Sequence, residues 1–238
     1  MIGIAAFLAG AAGTALATGV LGAPQVGDAE RAKIEAVVRD YILAHPEIIP
    51  EAMEKLQQRE ISKVVDTNRS RIETPFASAW AGNERGDATL TIFFDYACGY
   101  CRASLPDIER LLKEDKQLKV VFRELPILSE TSELAARASL AAAAQGKFKA
   151  FHDALYAAGR PTPQTIERVQ KEVGIDISAA AKVQTSPEAS REIEGNVQLA
   201  RDLRFSGTPS WVVGDQILNG AVGYDTLKKA IAEARKKG

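Results

Sequence analysis

Apolar positions along this chain keep two rhythms, one helical and one of strands. Ile34, Val37, Val38, Tyr41 and Ile42 fall at i, i+3, i+4, i+7 and i+8, which lines one face of an amphipathic helix. His45-Pro46 interrupts the pattern, because a proline disfavours helical geometry in the residue before it; His45 reads as a turn residue. The stripe resumes with Ile48, Ile49, Ala52, Met53 and Leu56 and runs on through Ile61, Val64, Val65 and Ile72. That predicts a second helix from near Glu47 to about Thr74, a rod of roughly 40 Å at 1.5 Å per residue. Pro75 ends it. A narrow stripe of this kind needs cover, from a partner subunit or from the rest of the chain. Its length and its place outside the later elements favour a partner.

The second half has a different texture. Leu90-Thr91-Ile92-Phe93-Phe94 is a run of β-branched and aromatic residues, the composition of a strand buried on both faces. Leucines and isoleucine at helical spacing (Leu105, Ile108, Leu111, Leu112) predict a helix over 102–113. Lys119 to Pro126 reads as a second buried strand stopped by its proline. A strand, helix, strand unit of this length implies parallel neighbours. Residues 76–87 should hold a short strand and a turn at Gly82-Asn83. From about 129 to 205 the pattern is helical, with Gly146, Gly159 and Pro187 as punctuation. Ser210–Val213 and Gln216–Asn219 flank Gly214-Asp215 as an antiparallel hairpin. A last helix covers 225–237. The sum is β, α, β, helical insertion, β, β, α: an α/β sheet with helices on both faces.

Between the central strand and its helix stands Cys98-Gly99-Tyr100-Cys101. Unpaired N–H groups at a helix start favour a thiolate at the leading cysteine. Cys98 is therefore expected below the ordinary thiol pKa of ~8.5, and its sulfur becomes a nucleophile or a good leaving group. Cys101, one turn on, can close a disulfide with it. Half of a zinc site is the competing reading, but no second cysteine pair exists and only His45 and His152 lie elsewhere. No metal ligand is assigned. His152, between Phe151 and Leu155, reads as a packed core histidine.

Composition changes the picture in three ways. At 238 residues and 46% hydrophobic content there is room for one core plus an appendage. Thirty basic against thirty-one acidic residues give no reason to expect nucleic acid or an acidic lipid surface. Both cysteines lie in one motif, so the pair is a redox couple sooner than a staple. Ile2 to Ala23 carries no charged side chain and contains the small-x-small pattern Ala15-Leu16-Ala17. Residues 1–23 are read as a cleaved export signal. The absence of Lys or Arg before the run keeps an uncleaved anchor open. Export would place the pair in an oxidising compartment.

Gly207-Thr208-Pro209 precedes the hairpin. Alone it is a turn; beside the cysteines, a cis bond there would expose the Thr208 backbone to an extended peptide. FFDYACGYC, FRELPIL, the ending GTPSWVVGDQILNGAVGYDTL and the helical insertion together resemble the DsbA-like branch of the thioredoxin superfamily, over about residues 76–238. The stretch YILAHPEIIPEAMEKLQ resembles the stalk of the ScsC (suppressor of copper sensitivity C) group of bacterial periplasmic proteins.

The resemblance implies a thioredoxin-fold catalytic domain over 76–238, with its insertion at about 129–205, behind a helical oligomerisation stalk at 28–75. It implies a periplasmic thiol–disulfide oxidoreductase or isomerase with no cofactor beyond a redox-active Cys98–Cys101 disulfide. Cys98 would be the exposed nucleophile and Cys101 the buried resolving thiol, with Gly99, Tyr100, Thr208 and Pro209 meeting substrate. Its partners would be client proteins with thiols or disulfides, a membrane redox partner and further copies of itself. One departure stands out: the buried acid that many relatives carry six residues before the first cysteine is Ile92 here. No proton-relay residue is assigned, and Asp95 reads as a polar cap at the strand end. Isomerisation leads as the function, dithiol oxidation is second, and Cu(I) carriage by two thiolates is a distant third.

Overall fold

The computed structural model describes residues 27–236; the expected signal at 1–23 lies outside them. The described residues divide into two compact units, with the division between Ala52 and Met53. In the first, α1 (Asp28–Ala44) has no buried residue, and Ile34, Val37, Val38 and Tyr41 are all at least half exposed. His45 closes α1 outside helical geometry, with its ring against Tyr41. Proline in the next position accounts for that stop.

The second unit is built on five strands in the order β1-β3-β2-β4-β5: β1 (Trp80–Gly82), β2 (Ala88–Phe94), β3 (Leu118–Glu124), β4 (Ser210–Val213) and β5 (Gln216–Asn219). Among the described residues only β2 and β3 run parallel, and the other pairings are antiparallel. The parallel pair is buried on both faces over most of its length, which is why residues 92–94 and 120–122 read as apolar runs. Gly82 ends β1 at φ +90°, where a Cβ would stand 2.3 Å from the Leu118 carbonyl oxygen. Only glycine fits that turn.

Leu90, Ile92 and Phe94 of β2 and Val120 and Phe122 of β3 face one core. Helices α5 (Glu130–Ala144), α6 (Phe148–Ala157) and α10 (Tyr224–Arg235) pack there. Phe93, Leu125 and Val212 face the other side, against Leu199 and Leu203 at the end of α9 (Pro187–Asp202). Two shorter helices, α7 (Pro163–Glu172) and α8 (Ile177–Gln184), complete the insertion. The helix expected over 102–113 is two pieces, α3 (Gly99–Ala103) and α4 (Leu105–Glu114), joined at Ser104. Pro106 accounts for the break, since it has no N–H to continue the ladder.

The largest departure from the sequence reading concerns α2 (Ile48–Glu73). Its apolar stripe was expected to lie outside the catalytic fold as far as Ile72. Instead Val65 and Ile72 are fully buried against Phe93, Leu125 and Val212, with Ile61 and Val64 packed alongside. Two polar fastenings hold this part of the helix. Arg69 pairs with Asp215 at 2.6 Å, in the turn between β4 and β5. Arg123 of β3 is buried and donates to the carbonyls of Ile72 (3.2 Å), Thr74 (2.5 Å) and Arg71, and it pairs with Glu192 at 2.6 Å. It thereby satisfies carbonyls that a helix end leaves open. A boundary at residue 75 would strip both sides of that contact. The stripe remains exposed only toward its start, at Ile49, Met53 and Leu56.

Ile72→Ala should therefore cost about 2–5 kcal/mol of unfolding free energy, as for other buried isoleucines. Leu56→Ala, at an exposed position, should stay within about 0.5 kcal/mol in the same denaturant titration. Equal costs would mean that α2 packs as one uniform rod.

Candidate active site

The β2 strand ends at Phe94 and delivers Cys98 to the start of α3. Cys98 is extended (φ −80°, ψ 116°), and its sulfur accepts a hydrogen bond from the Cys101 backbone N–H at 3.2 Å. The Cys98 N–H donates to the Asp95 carbonyl at 3.0 Å, which closes the turn that aims the sulfur. Opposite it, the antiparallel pairing of β2 with β4 sets Phe93 beside Ser210. The residues just before Ser210 must then run past the end of β2. Thr208 arrives there, and its carbonyl oxygen accepts from the Cys98 thiol at 3.3 Å. The Thr208–Pro209 bond is cis. Cys98, Cys101, Thr208 and Pro209, far apart in the sequence, thus share one site, with Gly99 and Tyr100 exposed beside it.

Both cysteines are free thiols. The expected contrast between an open and a buried thiol is smaller than the sequence suggests. Cys98 is only 5% exposed and Cys101 1%. The Thr208 carbonyl oxygen stands 3.3 Å from the Cys98 sulfur. Electrostatics separates the two sulfurs far more than exposure does. The Cys98 thiol is pulled down to about 6, chiefly by the hydrogen bond from the Cys101 thiol, with the Cys101 and Tyr100 backbone amides adding to it against burial. Burial pushes the Cys101 thiol far up, and its hydrogen bond to Cys98 pushes the same way. At neutral pH the site holds a thiolate at Cys98 and a thiol at Cys101.

Asp95 caps the strand end, as its position suggested, but it reaches further than a local cap. One carboxylate oxygen accepts from Ala97 N–H at 2.7 Å. The other accepts from the N–H groups of Ile127 and Leu128 at 2.9 and 3.0 Å. A single buried carboxylate therefore ties the turn before Cys98 to the loop after β3.

Sequence reasoning missed Glu124. Register pairs it with Phe94, on the face that carries the cysteines. It is 2% exposed, and one of its oxygens has no hydrogen-bond partner among the described residues. Burial holds its carboxyl well above the usual range, so it is neutral in the folded protein. The signal was present, because an acid within the apolar run of β3 is costly unless it is neutral or paired. Around it Tyr96 bonds Ser139 at 2.9 Å and His152 at 3.1 Å, and Tyr156 donates to the Asp95 carbonyl at 3.0 Å. His152 sits among Phe94, Phe122 and Phe148. Burial pushes it down to about 3, and it is the packed core histidine that its neighbours implied.

Two measurements follow from these shifts. The thiolate absorbance of wild-type Cys98 should titrate with a midpoint near 6. In Cys101→Ala the main hydrogen bond is gone, so the midpoint should climb by about a unit or more and stay below ~8.5, because the backbone amides remain. An unshifted midpoint would remove Cys101 as the cause. For Glu124 the folded pKa lies above the unfolded one, so its favourable contribution is complete below ~4.3 and fades as pH rises. Glu124→Gln should raise Tm by several degrees at about pH 8, and the gap should close toward about pH 4. A gap independent of pH would show that the carboxyl is not neutral in the fold.

Comparison with known proteins agrees with this geometry. The DSBA-like thioredoxin domain model matches residues 89–232, and the copper resistance protein ScsC N-terminal domain model matches residues 30–60. A thioredoxin-like oxidoreductase from Silicibacter pomeroyi is 40% identical, with 71% of this chain and 98% of that one covered and a TM-score of 0.68. A linker-deletion mutant of Proteus mirabilis ScsC is 27% identical over 90% of this chain and 99% of its own, at TM-score 0.69. The thiol–disulfide exchange protein alpha-DsbA2 from Wolbachia pipientis is 27% identical over 75% and 97%, also at 0.69. The curated relatives are longer. The chain spans about a quarter of the Na(+)/H(+) antiporter NhaA 3 of Salinispora tropica, 25% identical over 173 residues. With a match over more than half its length, this chain belongs to the DSBA-like thioredoxin domain family.

Proposed function

We propose that the chain catalyses disulfide isomerisation on exported proteins, through Cys98 and Cys101 and as a homo-oligomer. The observation that carries the chemistry is the Cys98 sulfur at the start of α3, which accepts the Cys101 N–H at 3.2 Å and lies 3.3 Å from the Thr208 carbonyl oxygen. The thiolate attacks one sulfur of a client disulfide, forms a mixed disulfide and releases the other client sulfur as a thiolate. In isomerisation that thiolate, or another in the client, attacks a different pairing and finally displaces Cys98, with no net change in electrons. In the alternative exit, Cys101 loses its proton and attacks Cys98, which releases a reduced client and leaves the Cys98–Cys101 disulfide. The high pKa of Cys101 slows that exit and so favours isomerisation.

The exposed apolar face of α1 and the start of α2 supports assembly, and it coincides with the match to the ScsC N-terminal domain. Several sites around one client raise its local concentration while pairs are exchanged. Export is supported by the uncharged N-terminal stretch and by a redox pair that suits an oxidising compartment. A membrane redox partner would then keep the pair in its working state.

One observation favours dithiol oxidation instead. A stabilised Cys98 thiolate is a good leaving group, which makes the disulfide form oxidising. Because α2 from Ile61 onward is part of the catalytic core, the informative truncation starts at Met53, not at residue 76. Full-length protein should run as an oligomer by light scattering and recover scrambled client disulfides. The 53–238 chain should be a folded monomer that still reduces insulin but loses at least about tenfold in isomerase activity. Equal isomerisation by both would overturn the role of the stalk and leave oxidation as the better reading.

A further inference from the structure

The sheet face turned away from the cysteines carries a cavity of about 450 Å³ that thiol exchange does not use. It lies wholly within the second unit, between the end of α2 and the middle of α9, with the buried Arg123 of β3 between them. Three guanidinium groups line it, those of Arg71, Arg123 and Arg191, against one carboxylate, that of Glu192. Arg123 takes that carboxylate at 2.6 Å. Arg191 has an exposed pair with Glu188, which is worth little in water. Arg71 is exposed and has no carboxylate partner among the described residues. It reaches the Asn68 side-chain oxygen at 3.0 Å and the Gly195 carbonyl at 3.4 Å.

A positive excess in a recess draws anions. Open carbonyls at the end of α2 would oppose one, but Arg123 already donates to those of Arg71, Ile72 and Thr74. Pro75, Phe76 and Leu199 give the same wall an apolar stretch. The volume falls within the roughly 300–1,000 Å³ of small-molecule sites, which combine apolar walls with a few placed polar groups.

Two residues of the wall are poor choices for the fold alone. Gly195 stands in the middle of α9, where glycine weakens a helix relative to alanine. Packing does not demand it, since a Cβ there would meet only Arg71 Nη2, at an ordinary 3.6 Å. Ala77 holds φ +45°, which a non-glycine residue seldom adopts. Conformations of that kind gather at sites that hold something.

We propose that this cavity binds a small organic anion, with its oxyanion group between Arg71 and Arg191 and its apolar body against Phe76 and Leu199. Arg71 belongs to α2 and Arg191 to α9, so the bound anion clamps the end of α2 to the insertion. The site is separate from the sulfurs and does not depend on the direction of thiol exchange.

The test is calorimetric titration of the full-length protein with phenyl phosphate, beside inorganic phosphate and benzyl alcohol. Phenyl phosphate should bind once per chain and raise Tm as its concentration rises. Inorganic phosphate lacks the apolar body and benzyl alcohol lacks the charge; each should bind at least about tenfold more weakly. Arg71→Glu, at an exposed position, should weaken phenyl phosphate binding at least about tenfold. Gly195→Leu should fill the cavity and abolish binding while the chain stays folded by circular dichroism. Both variants should reduce insulin at the wild-type rate. No binding at about 5 mM phenyl phosphate, or an affinity unmoved by either substitution, overturns the site. Equal binding of benzyl alcohol or of inorganic phosphate overturns it too.

Discussion

The 3.2 Å hydrogen bond from the Cys101 backbone to the Cys98 sulfur is the contact on which the rest of this molecule depends. It forms only if a strand stops at Phe94, a turn closes on Asp95 and a helix starts at Gly99. Each of those events has a separate cause in the sequence. The apolar run of β2 needs burial on both faces, Asp95 caps the turn, and the thiolate satisfies an amide that a helix start leaves open. That amide and, more strongly, the Cys101 thiol lower the Cys98 pKa, while burial raises that of Cys101. One sulfur is ready to attack, and the other must first give up a proton from a buried site.

The surrounding fold serves to bring distant backbone to that sulfur. Antiparallel pairing of β4 with β2 puts Thr208 across from Cys98, and the Asp95 carboxylate fixes the loop after β3 on another side. Behind the sheet, Arg123 fastens the end of α2 to β3, one residue from Glu124. The helix that starts beside α1 thus ends as part of the catalytic core.

Much of this was legible in the chain itself. The run LTIFFDYACGYC, the hairpin at Ser210–Asn219 and the proline ahead of it carry local signals strong enough to place strand, helix and loop. What stayed hidden depends on contacts between segments far apart. The periodicity of Ile61, Val64, Val65 and Ile72 shows that this face is covered, and says nothing of what covers it. Arg123 looks like an ordinary charge inside a strand until the C-terminal carbonyls of α2 are seen around it. Glu124 is harder still, because its neutrality follows from burial by segments far away in the sequence, Ser139 of α5 and Asn196 of α9 among them. The split of the expected 102–113 helix could have been read locally, since Pro106 stood in plain view.

The central claim is that Cys98 is held as a thiolate by its place in the fold. Stabilising that thiolate stabilises the dithiol form of the pair, so it should raise the reduction potential. Equilibration of the full-length protein with defined ratios of reduced and oxidised glutathione measures that potential directly. The account expects a value clearly more oxidising than the roughly −270 mV of thioredoxin, whose leading cysteine titrates near 7. A potential at or below −270 mV would contradict it.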